Sequence, residues 1–310
     1  MAIPKCSVVV TCYNYARYIP PCLESVLGQT YQDFEIVIIN DGSTDNTDEV
    51  IVPFLTDERI RYIKQANAGQ AKAKNVGIEH ARGELIAFLD ADDLWEATKL
   101  EKQLPRFDDV QVGVVYSGAR YVDDQGQDVP FAHHSTYLQP RSGIVTQNLF
   151  FDNFIAFSSS IVRKMCFDDV GLFDESIRMG IDWDLWLRIS VRYRFAYVDE
   201  PLLYYRIGHP GQMSKNLDVR QECSDRIMAR FLDLNPGIIP KNVIRKAYAY
   251  TYCNRGYYFR GNEPNKALRF YGRALKSAPG NIHAIKGIII TVFIMIINIL
   301  KRLKPCATRT

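Results

Sequence analysis

The seven cysteines of this 310-residue chain (Cys6, Cys12, Cys22, Cys166, Cys223, Cys253 and Cys306) include no C-x-x-C pair and are odd in number. Neither a cysteine zinc site nor a disulfide framework is supported, and a reducing compartment fits. A signal-peptide pattern is also missing: the N-terminus runs almost at once into Cys6-Ser7-Val8-Val9-Val10, so the expected location is cytoplasmic. No low-complexity tract interrupts a composition that is 47% hydrophobic and 24% charged, as in folded proteins. Net charge is only +3, and the 18 Tyr and 16 Phe are not interleaved with a basic patch. Both facts argue against a nucleic-acid partner.

What the chain does have is Gly83-Glu84-Leu85-Ile86-Ala87-Phe88-Leu89-Asp90-Ala91-Asp92-Asp93. The apolar run Leu85 to Leu89 predicts a strand buried on both faces, inside a parallel sheet. Ionised carboxylates are costly to bury, so the acids that end it belong at the strand's C-terminal edge, where open α/β sheets bind ligands. Asp90 and Asp92 lie two apart, on one side of an extended chain, and suit a hard divalent cation. A solvated acidic turn is the plain alternative.

The upstream sequence supplies context. Cys6 to Thr11 predicts strand one, and a helix starts near Pro20-Pro21 and stops near Gly28. Strand two, Phe34 to Ile39, ends in Asn40-Asp41-Gly42-Ser43-Thr44-Asp45, whose last residues cap a helix through Val50 and Phe54. A third strand over Arg59 to Ile63, a helix over Gly69 to Glu79 and a strand over Gly83 to Leu89 follow. Strands alternating with helices mean βαβ units and a largely parallel sheet. The loops holding Asp41 and Asp90-Ala91-Asp92 then share one edge and form one site.

These residues resemble the inverting family-2 glycosyltransferases of GT-A fold. The resemblance rests on Thr11-Cys12-Tyr13-Asn14, then Ile38 to Asp45, Asn67-Ala68-Gly69, Asn75-Val76-Gly77-Ile78, Gly83-Glu84 and Asp90-Ala91-Asp92-Asp93-Leu94-Trp95, in order over roughly the first hundred residues. It implies an α/β, Rossmann-like domain over residues 1–215: a mostly parallel central sheet with helices on both faces. It also implies a donor nucleotide sugar, a UDP-sugar, with Thr11, Tyr13, Asn14 and Asp41 holding nucleobase and ribose. Asp92 would bind Mn2+ or Mg2+, with Asp90 toward the ribose or the metal. Lys74 stands where many relatives carry Arg and would neutralise phosphate as a point charge.

Past a helix near Trp95 to Phe107 the chain reads β-rich over Val112 to Tyr116 and Arg120 to Asp123, with a turn at Asp124-Gln125-Gly126. Residues 127–141 read as a loop; their His133-His134 pair suggests a surface loop ahead of a metal site, for want of a third ligand at suitable spacing. Phe157 to Val162 predicts another strand. In Gly180-Ile181-Asp182-Trp183-Asp184-Leu185-Trp186, helical spacing puts Asp182, Leu185, Trp186 and Ile189 on one face. Spacing alone favours Asp182 as an N-cap. The resemblance instead implies that Asp182 is the catalytic base, with Ile181 where Glu is usual. Arg206 and His209 belong to a Tyr-Arg and His-Pro-Gly stretch that also resembles the family. It implies contact with diphosphate, or for His209 with the metal, while Arg206 pairing with a core-edge acid stays equally open. Surface polysaccharide or glycolipid assembly, onto a saccharide or lipid-linked hydroxyl, is the corresponding expectation.

After Ser214 the pattern turns helical. Residues 216–280 read as an α-helical extension in which Asn242 to Arg260 and Pro264 to Ser277 pair as one tetratricopeptide-like hairpin. Within residues 281–310, Gly287 to Leu300 form fourteen uncharged residues before Lys301-Arg302-Leu303-Lys304. That is short of the roughly twenty needed to span a bilayer. It suggests a peripheral contact with an anionic, cytoplasmic membrane face, against the alternative of a helix docked on protein. Two rival functions remain at this point: a nucleotidyltransferase, although the first loop lacks a Gly- and Arg-rich stretch, and a non-catalytic sugar-nucleotide-binding protein, for which Ile181 is the hint.

Overall fold

The computed structural model describes residues 3–130, 139–209, 211 and 217–303. They fall into two units, 1–149 with 153–235, and 150–152 with 236–310. The His133-His134 pair, most of the 210–216 stretch and the side chains of the basic tail lie outside the described residues.

The first unit runs β1 (Cys6–Cys12), α1 (Ile19–Leu27), β2 (Phe34–Asn40), α2 (Thr47–Ile51), β3 (Ile60–Lys64), α3 (Gln70–His80), β4 (Leu85–Asp90), β5 (Leu94–Trp95) and α4 (Lys99–Gln103). It continues through β6 (Val112–Val122), α5 (Thr146–Leu149), β7 (Ile161–Arg163), α6 (Met165–Val170), α7 (Ile181–Ser190), β8 (Arg194–Arg206) and α8 (Leu217–Leu234). One sheet holds all eight strands in the order β3-β2-β1-β4-β7-β6-β8-β5. The first four are parallel; β7 is antiparallel to β4 and β6, β8 parallel to β6, and β5 antiparallel to β8. The fold is thus α/β of the expected kind, with a parallel half followed by a mixed half.

Burial on both faces explains the unbroken apolar strands. Every residue of β2 is buried, as are Leu85 to Leu89 of β4. Val8, Val10, Ile36, Ile38 and Leu89 join Leu23 and Val26 of α1 in one core, while Val37 and Ile39 meet Ala73 of α3 on the other face. Register then aligns the strand ends: Thr11 lies beside both Ile39 and Asp90, and Cys12 beside Asn40.

Two expectations need correction. Phe157–Ser159 is a single 3-10 turn, and the strand begins only at Ile161. The serines divert the chain: Ser159 and Ser160 donate their hydroxyls to the carbonyls of Ala156 and Phe157, at 2.7 and 2.6 Å. Such local side-chain bonds compete with a strand ladder. The segment Trp95 to Phe107 carries a short strand and one α-helical turn before a 3-10 turn at Leu104–Asp108, instead of one continuous helix. Helix α8, read from sequence with the extension, groups with the first unit. There Ile227, Met228 and Phe231 are buried, and Arg230 pairs with Asp174.

The second unit contains α9 (Lys241–Phe259), α10 (Pro264–Ser277) and α11 (Ile282–Leu303). Ala267, Tyr271 and Ala274 of α10 are buried, whereas Tyr257 and Tyr258 of α9 are exposed. Gly256 and Gly287 make room for the Tyr271 ring: a Cβ at either would lie 2.6 or 2.2 Å from it.

Candidate active site

The aligned ends of β1 and β4 bring Thr11 and Asp90 side by side, and α3 delivers a cation to them. Lys74 is almost fully buried, and its Nζ lies 2.7 Å from Asp90 Oδ1, 3.2 Å from Thr11 Oγ1 and 4.6 Å from the Phe157 ring centre. A buried ammonium needs such a partner. Just past the end of β2, Asp41 accepts from Gln65 Nε2 at 2.7 Å and from the N–H groups of Ala68 and Gly69 at 2.9 Å each. It therefore shapes the turn into α3, where Gly69 takes a φ of 89°. Asn14, with a φ of 56°, binds the first loop to the Ser43-Thr44-Asp45 loop: its Oδ1 accepts from Thr44 N at 2.7 Å and its own N–H donates to Ser43 Oγ at 2.9 Å. Tyr13, beside it, is exposed.

The loop after β4 is held from below and from β8. Ser158 Oγ donates to Asp93 Oδ2 at 2.5 Å and accepts from Asp90 N–H at 3.1 Å. Asp93 Oδ1 accepts the Arg206 N–H at 2.9 Å. Burial, together with the charge on Asp92, pushes the Asp93 carboxyl well up. The Arg206 side chain donates to the carbonyls of Asp92, Asp123 and Asp124 at 3.0, 2.8 and 3.2 Å. Its guanidinium fork thus ties the acidic loop to the turn after β6.

Asp92 Oδ2 sits 2.9 Å from Nε2 of His209, which is fully buried and lies 5.2 Å from the ring centre of Tyr18. Among the described residues no third His, Cys, Asp or Glu joins them in a metal cluster. Asp92 and His209 would offer a divalent cation one carboxylate oxygen and one imidazole nitrogen.

Asp182 enters from α7. The helix is capped by Gly180 at a φ of 80°, so Asp182 lies inside the first turn and is not the N-cap that spacing alone favoured. Asn153 Nδ2 donates to its Oδ2 at 2.7 Å. Burial raises the Asp182 carboxyl; the Trp183 N–H offsets this, the charge of Asp90 adds to it, and Asn153 offsets it again. Two residues on, Asp184 turns inward instead and pairs with Arg188 at 2.9 Å.

Tyr205 precedes Arg206 at the end of β8, its ring centre 5.6 Å from that of Tyr121. Its phenol is raised by burial and then by Asp93, Asp90, Asp92 and Asp182 together. Sequence reading missed Tyr205, Asn153 and the roles of Ser158 and Asp93. Alternation along Leu202-Leu203-Tyr204-Tyr205-Arg206 would have put Tyr205 on the opposite face from Arg206, but nothing in one sequence ties Asn153 to Asp182.

A model of the family described as "Glycosyl transferase family 2" matches residues 7–171. The chain belongs to glycosyl transferase family 2. The matched region holds Asp41, Asp90 and Asp92 and stops short of Asp182, Arg206 and His209. The chain is similar to an uncharacterised glycosyltransferase of Rickettsia felis, 29% identical over 232 residues that make up 74% of this chain and 38% of that one. The alignment thus spans well under half of that relative. Among solved structures, S. aureus TarS 1-349 in complex with UDP matches with a TM-score of 0.67 at 18% identity, over 99% of this chain and 94% of that chain. The mannosyltransferase PcManGT of Pyrobaculum calidifontis, in complex with GDP-Man and Mn2+, matches with a TM-score of 0.66 at 19% identity, over 98% and 82%. At such identities these two establish the fold.

Proposed function

We propose that this glycosyltransferase moves a sugar, with inversion, from a nucleoside-diphosphate donor, a UDP-sugar, to a hydroxyl of a saccharide or lipid-linked acceptor in surface polysaccharide or glycolipid assembly. The observation that carries the reading is the meeting of Thr11, Lys74 and Asp90 at the aligned ends of β1 and β4, with Lys74 Nζ 2.7 Å from Asp90 Oδ1 and 3.2 Å from Thr11 Oγ1. The bound UDP and GDP-Man of the two structural neighbours support a donor of this class. Thr11, Tyr13, Asn14 and Asp41 form the nucleoside end, and Lys74 beside Asp90 offers positive charge toward the diphosphate.

Asp92 and His209, with Asp90 at the rim, would hold Mn2+ or Mg2+. When bound, such a cation supplies Lewis-acid stabilisation of the departing diphosphate. Arg206 reaches the donor indirectly, by fixing the Asp92 carbonyl. Asp182 takes the proton of the acceptor hydroxyl, whose oxygen forms a bond to the anomeric carbon as the bond to the diphosphate oxygen breaks. A single displacement from the opposite face inverts that carbon. Ile181, at the position where the family resemblance implies Glu, is buried and serves the core.

The test is a panel of UDP-glucose, UDP-N-acetylglucosamine and GDP-mannose with Mn2+ or Mg2+, reading nucleoside diphosphate release to added methyl glycosides and to water. Metal-dependent release from one UDP-sugar is expected, with an inverted product by NMR. In Asp182→Asn, transfer should fall by roughly two to four powers of ten while the donor still raises the melting temperature. Unimpaired transfer in that variant, or no release from any donor, would refute the reading.

A membrane contact through α11 belongs to the same proposal. Its inward residues are the small Ala284, Gly287 and Thr291, while Ile285, Ile289, Phe293, Ile296 and Leu300 are exposed. A helix serving a water-filled environment would turn the large residues inward. The reverse arrangement, followed in the sequence by Lys301, Arg302 and Lys304, suits hydrocarbon beside anionic headgroups.

A further inference from the structure

Asn153 lies in the loop between α5 and β7, outside every motif named above. Its Nδ2 donates to Asp182 Oδ2 at 2.7 Å, and its Oδ1 accepts the Ile155 N–H at 3.1 Å. A backbone N–H can meet only the amide oxygen, so the amide nitrogen must face the carboxylate. The side chain is thereby locked by its own backbone while it grips one oxygen of Asp182. We infer that Asn153 is a positioning residue for the general base: it anchors Oδ2 of Asp182 and, with the Trp183 N–H, fixes the carboxylate's orientation for taking the acceptor proton. The inference rests on the reading of Asp182 as that base.

The chemistry separates this role from a merely structural one. Asp supports the same local turn as Asn, because its oxygen also receives a backbone N–H two residues on. Asn153→Asp therefore preserves the loop but sets a second carboxylate against Asp182. Asn153→Ala removes both contacts. A hydrogen-bond donor favours the ionised form of a carboxylate, and a neighbouring negative charge opposes it.

The experiment measures nucleoside diphosphate release against pH for both variants in the full chain, with the panel donor that turns over, alongside their melting temperatures. The acid limb of kcat/KM should move up by about one pH unit in Asn153→Ala and further in Asn153→Asp. Near neutral pH kcat should fall roughly tenfold or more, with donor KM unchanged. Asn153→Asp should be the less active variant and yet the more stable. The opposite order, with Asn153→Asp close to wild type, Asn153→Ala losing activity in step with its melting temperature and neither acid limb moving, would overturn the inference. Asp182→Asn run in parallel tells the two failures apart. If it transfers normally, the base assignment fails and this inference with it; if it is inactive while Asn153→Asp is unaffected, only the inference fails.

Discussion

Among the described residues two lysines, Lys74 and Lys99, are buried, and their surroundings give them different tasks. Lys74 has a carboxylate, Asp90, at 2.7 Å. Lys99 has only neutral acceptors, the Gln103 side chain and the Ser159 carbonyl, with its Nζ 4.3 Å from the Trp95 ring centre. Burial pushes the Lys99 amine down to about 7 from 10.5. In the unfolded chain the proton stays on until about 10.5. Below about 7 both states carry the charge and the folded chain bears the full cost of burying it. As pH rises from there toward 10, the folded chain sheds its proton first, so the unfolded chain binds more protons and stability climbs. Lys99→Met should abolish that climb. Urea unfolding should therefore show the variant's stability relative to wild type falling steadily from pH 7 to pH 10; a constant difference would mean that Lys99 does not titrate in this window. The same residue-level logic accounts for what a single sequence hides. Asp90 and Asp92 were legible because they end an apolar strand, whereas Asn153 and Ser158 act through atoms supplied by distant segments.

At the scale of elements, α3 is the piece that carries Lys74 to the sheet edge, and its approach to β1 depends on Gly77. A Cβ there would lie 2.3 Å from Val9 Cγ1, well inside contact distance. Ala in place of Gly favours a helix by roughly 1 kcal/mol, whereas overpacking a tight contact costs about 1–3 kcal/mol. Val9 is buried and β-branched, with little freedom to turn away, so overpacking prevails. Gly77→Ala should destabilise the wild-type chain in chemical denaturation. In a Val9→Ala background, where the obstructing methyl is gone, the same change should become neutral or stabilising. An equal cost in both backgrounds would place the strain elsewhere. Elements whose pattern is local, such as β1, β2, β4 and α3, were readable to within a residue or two. The turn at Phe157–Ser159 was not, because an apolar flank and a serine run suit a strand until hydroxyls capture the carbonyls.

For the molecule as a whole, α11 is the feature with reach beyond the active site. From sequence its uncharged run looked too short to span a bilayer. The structure makes Ile282–Leu300 one apolar helical stretch of 19 residues, long enough by length and composition to cross a membrane. At 1.5 Å per residue that is about 28 Å, against a hydrocarbon core of about 30 Å. Flotation should recover the full-length chain with vesicles containing phosphatidylserine. Ile289→Asp with Phe293→Asp, both outward-facing, should abolish recovery without lowering the melting temperature. Undiminished flotation of that double variant would remove α11 as the lipid contact.

The order of strands and helices in the first hundred residues, the buried centre of the sheet and the acidic loop at its edge were all determined by the sequence itself. Each follows from periodicity and turn chemistry within a dozen residues. Only the tertiary structure decided which polar groups each site residue meets. It turned Arg206 toward backbone carbonyls, bound Asp41 to the turn before α3, placed Asp182 inside its helix beside Asn153, and joined α8 to the first unit. Those outcomes depend on contacts between segments tens of residues apart, and no local pattern encodes a partner at that distance.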